Sequence, residues 1–193
     1  MSRRRHPARG GFTMVELLVT VSILGVLLTL VAPSAVDWIR VQRVKATAAE
    51  LITDLHFAKA ESVRRIWPVR VTFRSNDTLS CYTVHTTNLD PDCDCRYPVG
   101  RACRRGANGG GAFSTNRDEL KTVSVAASTG VSVANDVNVH FLPPNGLPDG
   151  MATMTVTVNG GDNRVLRVVT NASGRPQLCA PTGSRLVGYP ACG

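Results

Sequence analysis

The chain has 193 residues, with 22 Lys and Arg against 14 Asp and Glu, a formal net charge of +8. That length holds one long helix and one globular domain of ordinary size, and it excludes a second, enzyme-sized domain. The six cysteines, an even number, permit full pairing in an oxidising compartment.

The N-terminus is polarised. Arg3, Arg4, Arg5 and Arg9 precede Gly10-Gly11 with no acid among them, and an apolar run opens with Phe12-Thr13-Met14-Val15-Glu16. Residues 17–36 carry no charged side chain. As a helix this run would rise ~30 Å, about the thickness of a bilayer's hydrocarbon core. It reads as a single-pass span, with the arginines kept in the cytoplasm and the chain after Asp37 sent outward. A secretory signal would instead be cut after the apolar stretch, at Ala32-Pro33-Ser34-Ala35. Glu16 argues against that reading, because a signal core has no use for a carboxylate and hydrocarbon penalises one unless a cation sits at its depth.

The order of basic leader, Gly-Gly, Phe12, Glu16 and apolar helix resembles a type IV prepilin. The resemblance implies that a prepilin peptidase cuts between Gly11 and Phe12 and leaves the helix attached. Phe12 then becomes the N-terminal residue, subject to methylation, and Glu16 the fifth of the mature chain. Cleavage removes four arginines and leaves 182 of the 193 residues, with 18 basic and 14 acidic side chains, a charge of +4. The free amine of a neighbouring subunit's Phe12 can then meet Glu16 during assembly with other pilins.

Past the run the pattern turns amphipathic. Val41, Val44, Ala48, Leu51, Ile52, Leu55, Ala58 and Val63 recur at three- and four-residue steps, while Arg40, Arg43, Lys45, Glu50, Asp54, Lys59 and Glu61 occupy much of the opposite side. Glu50 with Asp54 and Glu61 with Arg65 fall at one-turn spacings, the second a favourable pair. Pro33 predicts a bend or unwound turn, and Trp67 before Pro68 predicts a helix end near Ile66. From Val69 the period becomes two, a half-buried strand, and further strands are predicted over 80–86, 121–127, 137–142, 152–158 and 165–170. Asn159-Gly160-Gly161-Asp162 joins the last two as a hairpin. The expected fold is α+β and pilin-like, a long helix whose second half packs on an antiparallel sheet. Its parts are a leader over 1–11, a transmembrane and filament-core helix over 12–36, an amphipathic continuation over 37–66 and a periplasmic sheet domain over 67–193. Residues 87–119 are irregular and too long for a bare connection.

Cys179 and Cys192 are remote from the other four cysteines and enclose a loop containing Pro181, Gly183, Gly188 and Pro190, so they are paired with each other. Cys93 and Cys95 are poor mutual partners, because alternate residues of an extended strand face opposite ways. That leaves Cys81 with Cys93 or with Cys95, and Cys103 with the other. A zinc site from the same four competes, but it lacks paired CxxC knuckles.

Residues 137–146, Val-Asn-Val-His-Phe-Leu-Pro-Pro-Asn-Gly, followed by a hairpin and by Val168-Val169-Thr170-Asn171-Ala172-Ser173-Gly174-Arg175, resemble the GspH/FimT family of minor pilins and pseudopilins. The resemblance implies a place in or near the tip of a type IV pilus or a type II secretion pseudopilus, after residence in the inner membrane. Some FimT proteins bind DNA in natural transformation through a basic Gly-Arg-x-Arg motif. Gly174 and Arg175 match it, and Gln177 stands where the second arginine would be.

Two readings follow. In one, the chain is a structural filament subunit. In the other, it also carries DNA: beyond Asp162 there is no acid, and Arg164, Arg167, Arg175 and Arg185 could touch phosphates, with Gly174 allowing close approach and the Cys179–Cys192 bond holding Arg185 nearby. Catalysis is not expected. His6, His56, His85 and His140 are scattered, and neither HExxH nor a Ser/His/Asp order appears. Asp90, Asp92 and Asp94 alternate like the start of a calcium loop, but its glycine and distal glutamate are missing, so a loop turn is the reading adopted. No cofactor or metal is called for.

Overall fold

The computed structural model describes residues 12–86, 93–103, 119–134, 138–149, 154–171 and 173–192, with the backbone alone at 30–34 and 154. Residues 1–11, where the leader and its cleavage site were expected, lie outside the described residues, as does much of 87–119. The chain divides into two units, Met1–Ile39 and Arg40–Gly193. Helix α1, Met14–Arg65, contributes to both.

In the first unit the apolar side chains from Leu17 to Leu28 are more than half exposed. Residues 30–34 are helical like their neighbours, so no unwound turn forms at Pro33. Proline removes one intrahelical bond there, a loss tolerated where the helix runs on for several turns at both sides. Among the described residues no helix is long and apolar enough to cross a membrane. The expected span 12–36 includes the five residues whose side chains are not described.

In the second unit α1 buries Val44, Ala48, Leu51, Leu55 and Ala58 completely, with Ser62 next in the series. These positions advance by alternating steps of four and three, the 3.6-residue period of one face. Val63 falls one position off this stripe and is 43% exposed, which corrects its expected place in the core. Burying a leucine such as Leu51 or Leu55 stabilises the fold by about 1.5–3 kcal/mol.

The stripe meets two antiparallel sheets where one was expected. Strands β1 (Val69–Ser75), β2 (Leu79–Thr86), β3 (Glu119–Ala126), β5 (Val139–Leu142) and β6 (Leu147–Pro148) form the first, in the order β3-β2-β1-β5-β6. The second has the order β4-β7-β8-β9, from β4 (Ser132–Ala134), β7 (Met154–Asn159), β8 (Val165–Thr170) and β9 (Pro176–Cys179). Val69, Val71, Tyr82, Val84, Val139 and Phe141 from the first sheet and Val133, Val156, Val158, Leu166 and Val168 from the second close on the helix in one core. Strands β4, β6 and β9, of three, two and four residues, carry no readable alternation and were not expected, whereas the equally short β5 lies within the strand expected over 137–142.

Polar groups inside this core have partners. The Asp54 carboxylate accepts from the Tyr82 hydroxyl at 2.7 Å and from Lys121 Nζ at 2.7 Å, and Lys121 also lies 3.6 Å from Glu50. Lys121 on β3 thus bridges the two acids that sit one turn apart on α1. Burial, and then the bond to Asp54, pushes the Tyr82 phenol up, so it stays a donor. His85 is buried between Thr72 Oγ1, 3.0 Å from Nε2, and the Thr86 carbonyl, 3.2 Å from Nδ1. A carbonyl only accepts, so in the neutral ring Nδ1 carries the proton and Nε2 accepts from Thr72.

At the helix end Arg64 and Arg65 fork onto Glu61, at 2.6 and 2.7 Å, and hold its carboxyl at about 2. The chain then turns with Ile66 at φ 53. Ile66 N–H donates to the Val63 carbonyl and Trp67 N–H to that of Ser62, the bond pattern of a Schellman cap. Glycine is the usual occupant, and a β-branched residue there is strained by ~1–2 kcal/mol.

The disulfides are Cys81–Cys95, Cys93–Cys103 and Cys179–Cys192. The choice left open in the sequence falls to Cys95 as the partner of Cys81, and the zinc alternative has no thiolate among these four residues.

The hairpin between β7 and β8 is closed by Gly160 N–H to the Arg164 carbonyl at 2.9 Å and Arg164 N–H to that of Gly161 at 2.8 Å. Gly160 lies directly on the helix, where an added Cβ would collide with the buried Val44 Cγ2. Gly160→Ala is therefore expected to destabilise the domain by about 1–3 kcal/mol, read as a lower denaturation midpoint at unchanged slope; an unshifted midpoint would show that the hairpin does not pack as described.

Candidate functional site

At the N-terminus Phe12 is exposed and Thr13 caps the helix, its Oγ1 accepting the Glu16 N–H at 3.3 Å. Glu16 thus stands in the first turn, where the positive end of the helix favours a carboxylate. Thr13-Met14-Val15-Glu16 has the spacing of a capping box. That signal is present in the sequence and was missed. The exposed Glu16 is both suited to starting its own helix and presented outward.

The C-terminal arginines do not gather. Arg164 is only 5% exposed and its Nη1 bonds Asp162 at 2.8 Å, so it is not offered to a phosphate, against expectation. Arg167, three residues on, is exposed and pairs with Cys179 on the outer face of the second sheet, as strand alternation dictates. Arg175 follows the C-terminal end of β8, its N–H donating to Asn171 Oδ1 at 2.9 Å. Arg185 stands at the other end, its N–H donating to the Asn163 carbonyl at 2.8 Å. The six residues of β8 therefore separate these two arginines by roughly 20 Å. The Cys179–Cys192 bond does not bring them together, because β9 runs antiparallel to β8 and carries the chain away from Arg175 before the bridge.

Gly174 also has another role than the one expected. It is buried at φ 71, and an added Cβ would lie 2.8 Å from the Gly146 carbonyl oxygen and 3.2 Å from Lys59 Nζ. Its close approach is to the chain's own β5–β6 turn. Lys59, read in the sequence only as part of the helix's polar side, donates from Nζ to the Ser173 carbonyl at 2.7 Å and ties this loop to the helix. Gln177 is exposed opposite Val169.

Asp162 collects charge. Arg164 bonds it, Arg40 Nη1 lies 3.8 Å away, and the bond from Arg164, followed by the charges of Arg40 and Arg185, holds its carboxyl below the usual range. Beside this cluster a cavity of about 120 Å³ is lined by Asn163, Val165, Pro181, Thr182, Gly183 and Ser184, none of them titratable.

The histidines stay apart: His56 is exposed on α1, His85 is buried and His140 lies 4.0 Å from Asp149. His85 nears Cys93 and Cys103, but those sulfurs form a disulfide and offer no thiolate. Asp94 is bound by Arg96 at 2.6 Å, while Asp90 and Asp92 lie outside the described residues.

Residues 47–174 match the family model for Type II transport protein GspH, and residues 7–32 match the Prokaryotic N-terminal methylation motif. Two crystal structures of the type IV minor pilin FimU from Pseudomonas aeruginosa strain PAO1 are similar to this chain. One is 14% identical with a TM-score of 0.47, covering 71% of this chain and 88% of that one. The other is 14% identical with a TM-score of 0.44, covering 69% and 90%. No curated protein matches.

The two neighbours Gly174 and Arg175 should separate in a stability measurement. Gly174→Ala meets both a positive φ and the Gly146 carbonyl and is expected to cost about 1–3 kcal/mol, whereas exposed Arg175→Ala should stay within about 0.5 kcal/mol. Equal midpoints for the two variants in urea would refute the packing assigned to Gly174.

Proposed function

We propose, from the fact that this chain belongs to the Type II transport protein GspH family, that it is a minor subunit of a type IV pilus, cleaved between Gly11 and Phe12 and polymerised through its N-terminal helix. The observation that carries this is the methylation motif over residues 7–32 at the head of an apolar helix with exposed sides. Such a surface needs lipid or like helices around it. Before assembly residues 12–36 would lie in the inner membrane as a single pass, with 67–193 in the periplasm. Prepilin peptidase and other pilins are the partners, and Glu16 meets the amine of a neighbouring Phe12. The same parts would serve a type II secretion pseudopilus.

Nucleic acid is the second reading. It is favoured by Arg167, exposed on the outer face between Arg175 and Arg185, a line of three cations able to touch phosphates without reading bases. Arg164 and Gly174 have no part in it.

In cells containing a prepilin peptidase, intact mass should show loss of residues 1–11, and Gly11→Val should stay full length and outside filaments. Normal processing of that variant would sink the filament assignment. For nucleic acid, a mobility-shift titration across salt should give a log–log slope of about −2 to −3, reduced by about one in Arg175→Ala and in Arg185→Ala. Absent binding, or slopes indifferent to both substitutions, would remove that reading and leave the first untouched.

A further inference from the structure

Three separate segments converge on less than two turns of α1, from Arg40 to Lys45. The β7–β8 turn seats Gly160 against Val44 and places Asp162 3.8 Å from Arg40. The C-terminal loop is pinned to that turn by the Arg185 N–H and to the helix by Tyr189, whose ring lies 5.8 Å from Lys45 Nζ. The turn after β3 accepts from Arg43 Nη1 through the Thr129 carbonyl at 3.0 Å.

The charges assembled this way are unequal. Arg40, Arg43, Lys45, Arg164 and Arg185 stand there, while the acids are Asp162 and, three residues before Arg40 in the chain, Asp37. One carboxylate, Asp162, already serves Arg164 and faces the charges of Arg40 and Arg185. Arg40 keeps half its side chain exposed, and Arg185 is exposed. Val187, two residues after Arg185, is 85% exposed, held out by a loop whose neighbouring Leu186 is buried in the core. An exposed apolar residue at the side of a cationic patch is the composition of a surface that sits in a lipid interface. Arg40 also follows the charge-free run 17–36 by four residues in the sequence, and Trp38 between them is exposed. Tryptophan and arginine at the end of an apolar run are interfacial anchors.

We propose that Arg40, Arg43, Arg185 and Val187 form a cationic collar that seats the globular unit on anionic phospholipid headgroups while the subunit awaits assembly. The inference rests on the reading of residues 12–36 as a membrane span. The collar binds phosphate, and the span presents it with the phosphates of the bilayer. Val187 enters among the headgroups, and Arg40 and Arg185 hold their charge. A subunit drawn into a filament leaves these contacts behind.

The test uses the full chain in lipid discs of phosphatidylcholine or of phosphatidylglycerol, with amide exchange followed at residues 160–164 and 183–189. Exchange should be about tenfold slower in phosphatidylglycerol. Raised salt should abolish the difference, as should the double variant Arg40→Gln, Arg185→Gln; Arg175→Gln, at the far end of β8, should preserve it. Equal exchange in the two lipids, with the chain retained in both, overturns the collar and leaves the span standing. A chain that enters neither disc overturns both. Protection by a short DNA duplex in phosphatidylcholine discs, matching that by the anionic lipid, would hand this surface to nucleic acid and overturn the lipid assignment.

Discussion

One helix face has to satisfy two sheets. Val44, Ala48, Leu51, Leu55 and Ala58 are the surface on which both sheets close, and every other placement in the second unit is subordinate to that burial. The small residues Ala48 and Ala58 flank the two leucines along the stripe, which lets strands approach closely at some levels and be filled at others. Glycine carries the same logic where loops meet the helix, with Gly160 against Val44 and Gly146 against Lys59 and Val63. Non-directional apolar burial sets the layering, and these close approaches set where each turn lies.

The polar interior then supplies direction. An acid buried as deeply as Asp54 is tolerable only with charge-assisted partners, and it has two, from different strands of the first sheet. Lys121 reaches it from the outermost strand β3, so β3 is linked to the helix by charge as well as to β2 by backbone bonds. His85, with both ring nitrogens engaged, does the same work between β1 and β2.

Much of this was legible in the residues, and the part that was not has a common cause. The end of α1, the first two strands and the β7–β8 hairpin are local events, governed by periodicity, by Trp67 before Pro68 and by the glycines at 160 and 161. The confinement of Cys93 and Cys95 to different partners was legible too, since alternation is local. What a residue meets across the core is not. Arg164 reads as a surface cation until Asp162 and the fold enclose it, and Gly174 reads as ligand-ready until the β5–β6 turn is found against it. The distance between Arg175 and Arg185 depends on the direction of β9, a strand too short to see. Thr13 is a different case: its capping pattern is local, and Glu16 serves both as the acid at the head of the apolar run and as the residue that starts the helix.

The paired bridges at Cys81–Cys95 and Cys93–Cys103 have a consequence for how the long excursion is held. Cys81–Cys95 fastens the excursion between β2 and β3 to β2, and Cys93–Cys103 closes a loop within it, so its described part is tied to the sheet by covalent bonds as well as by chain connection.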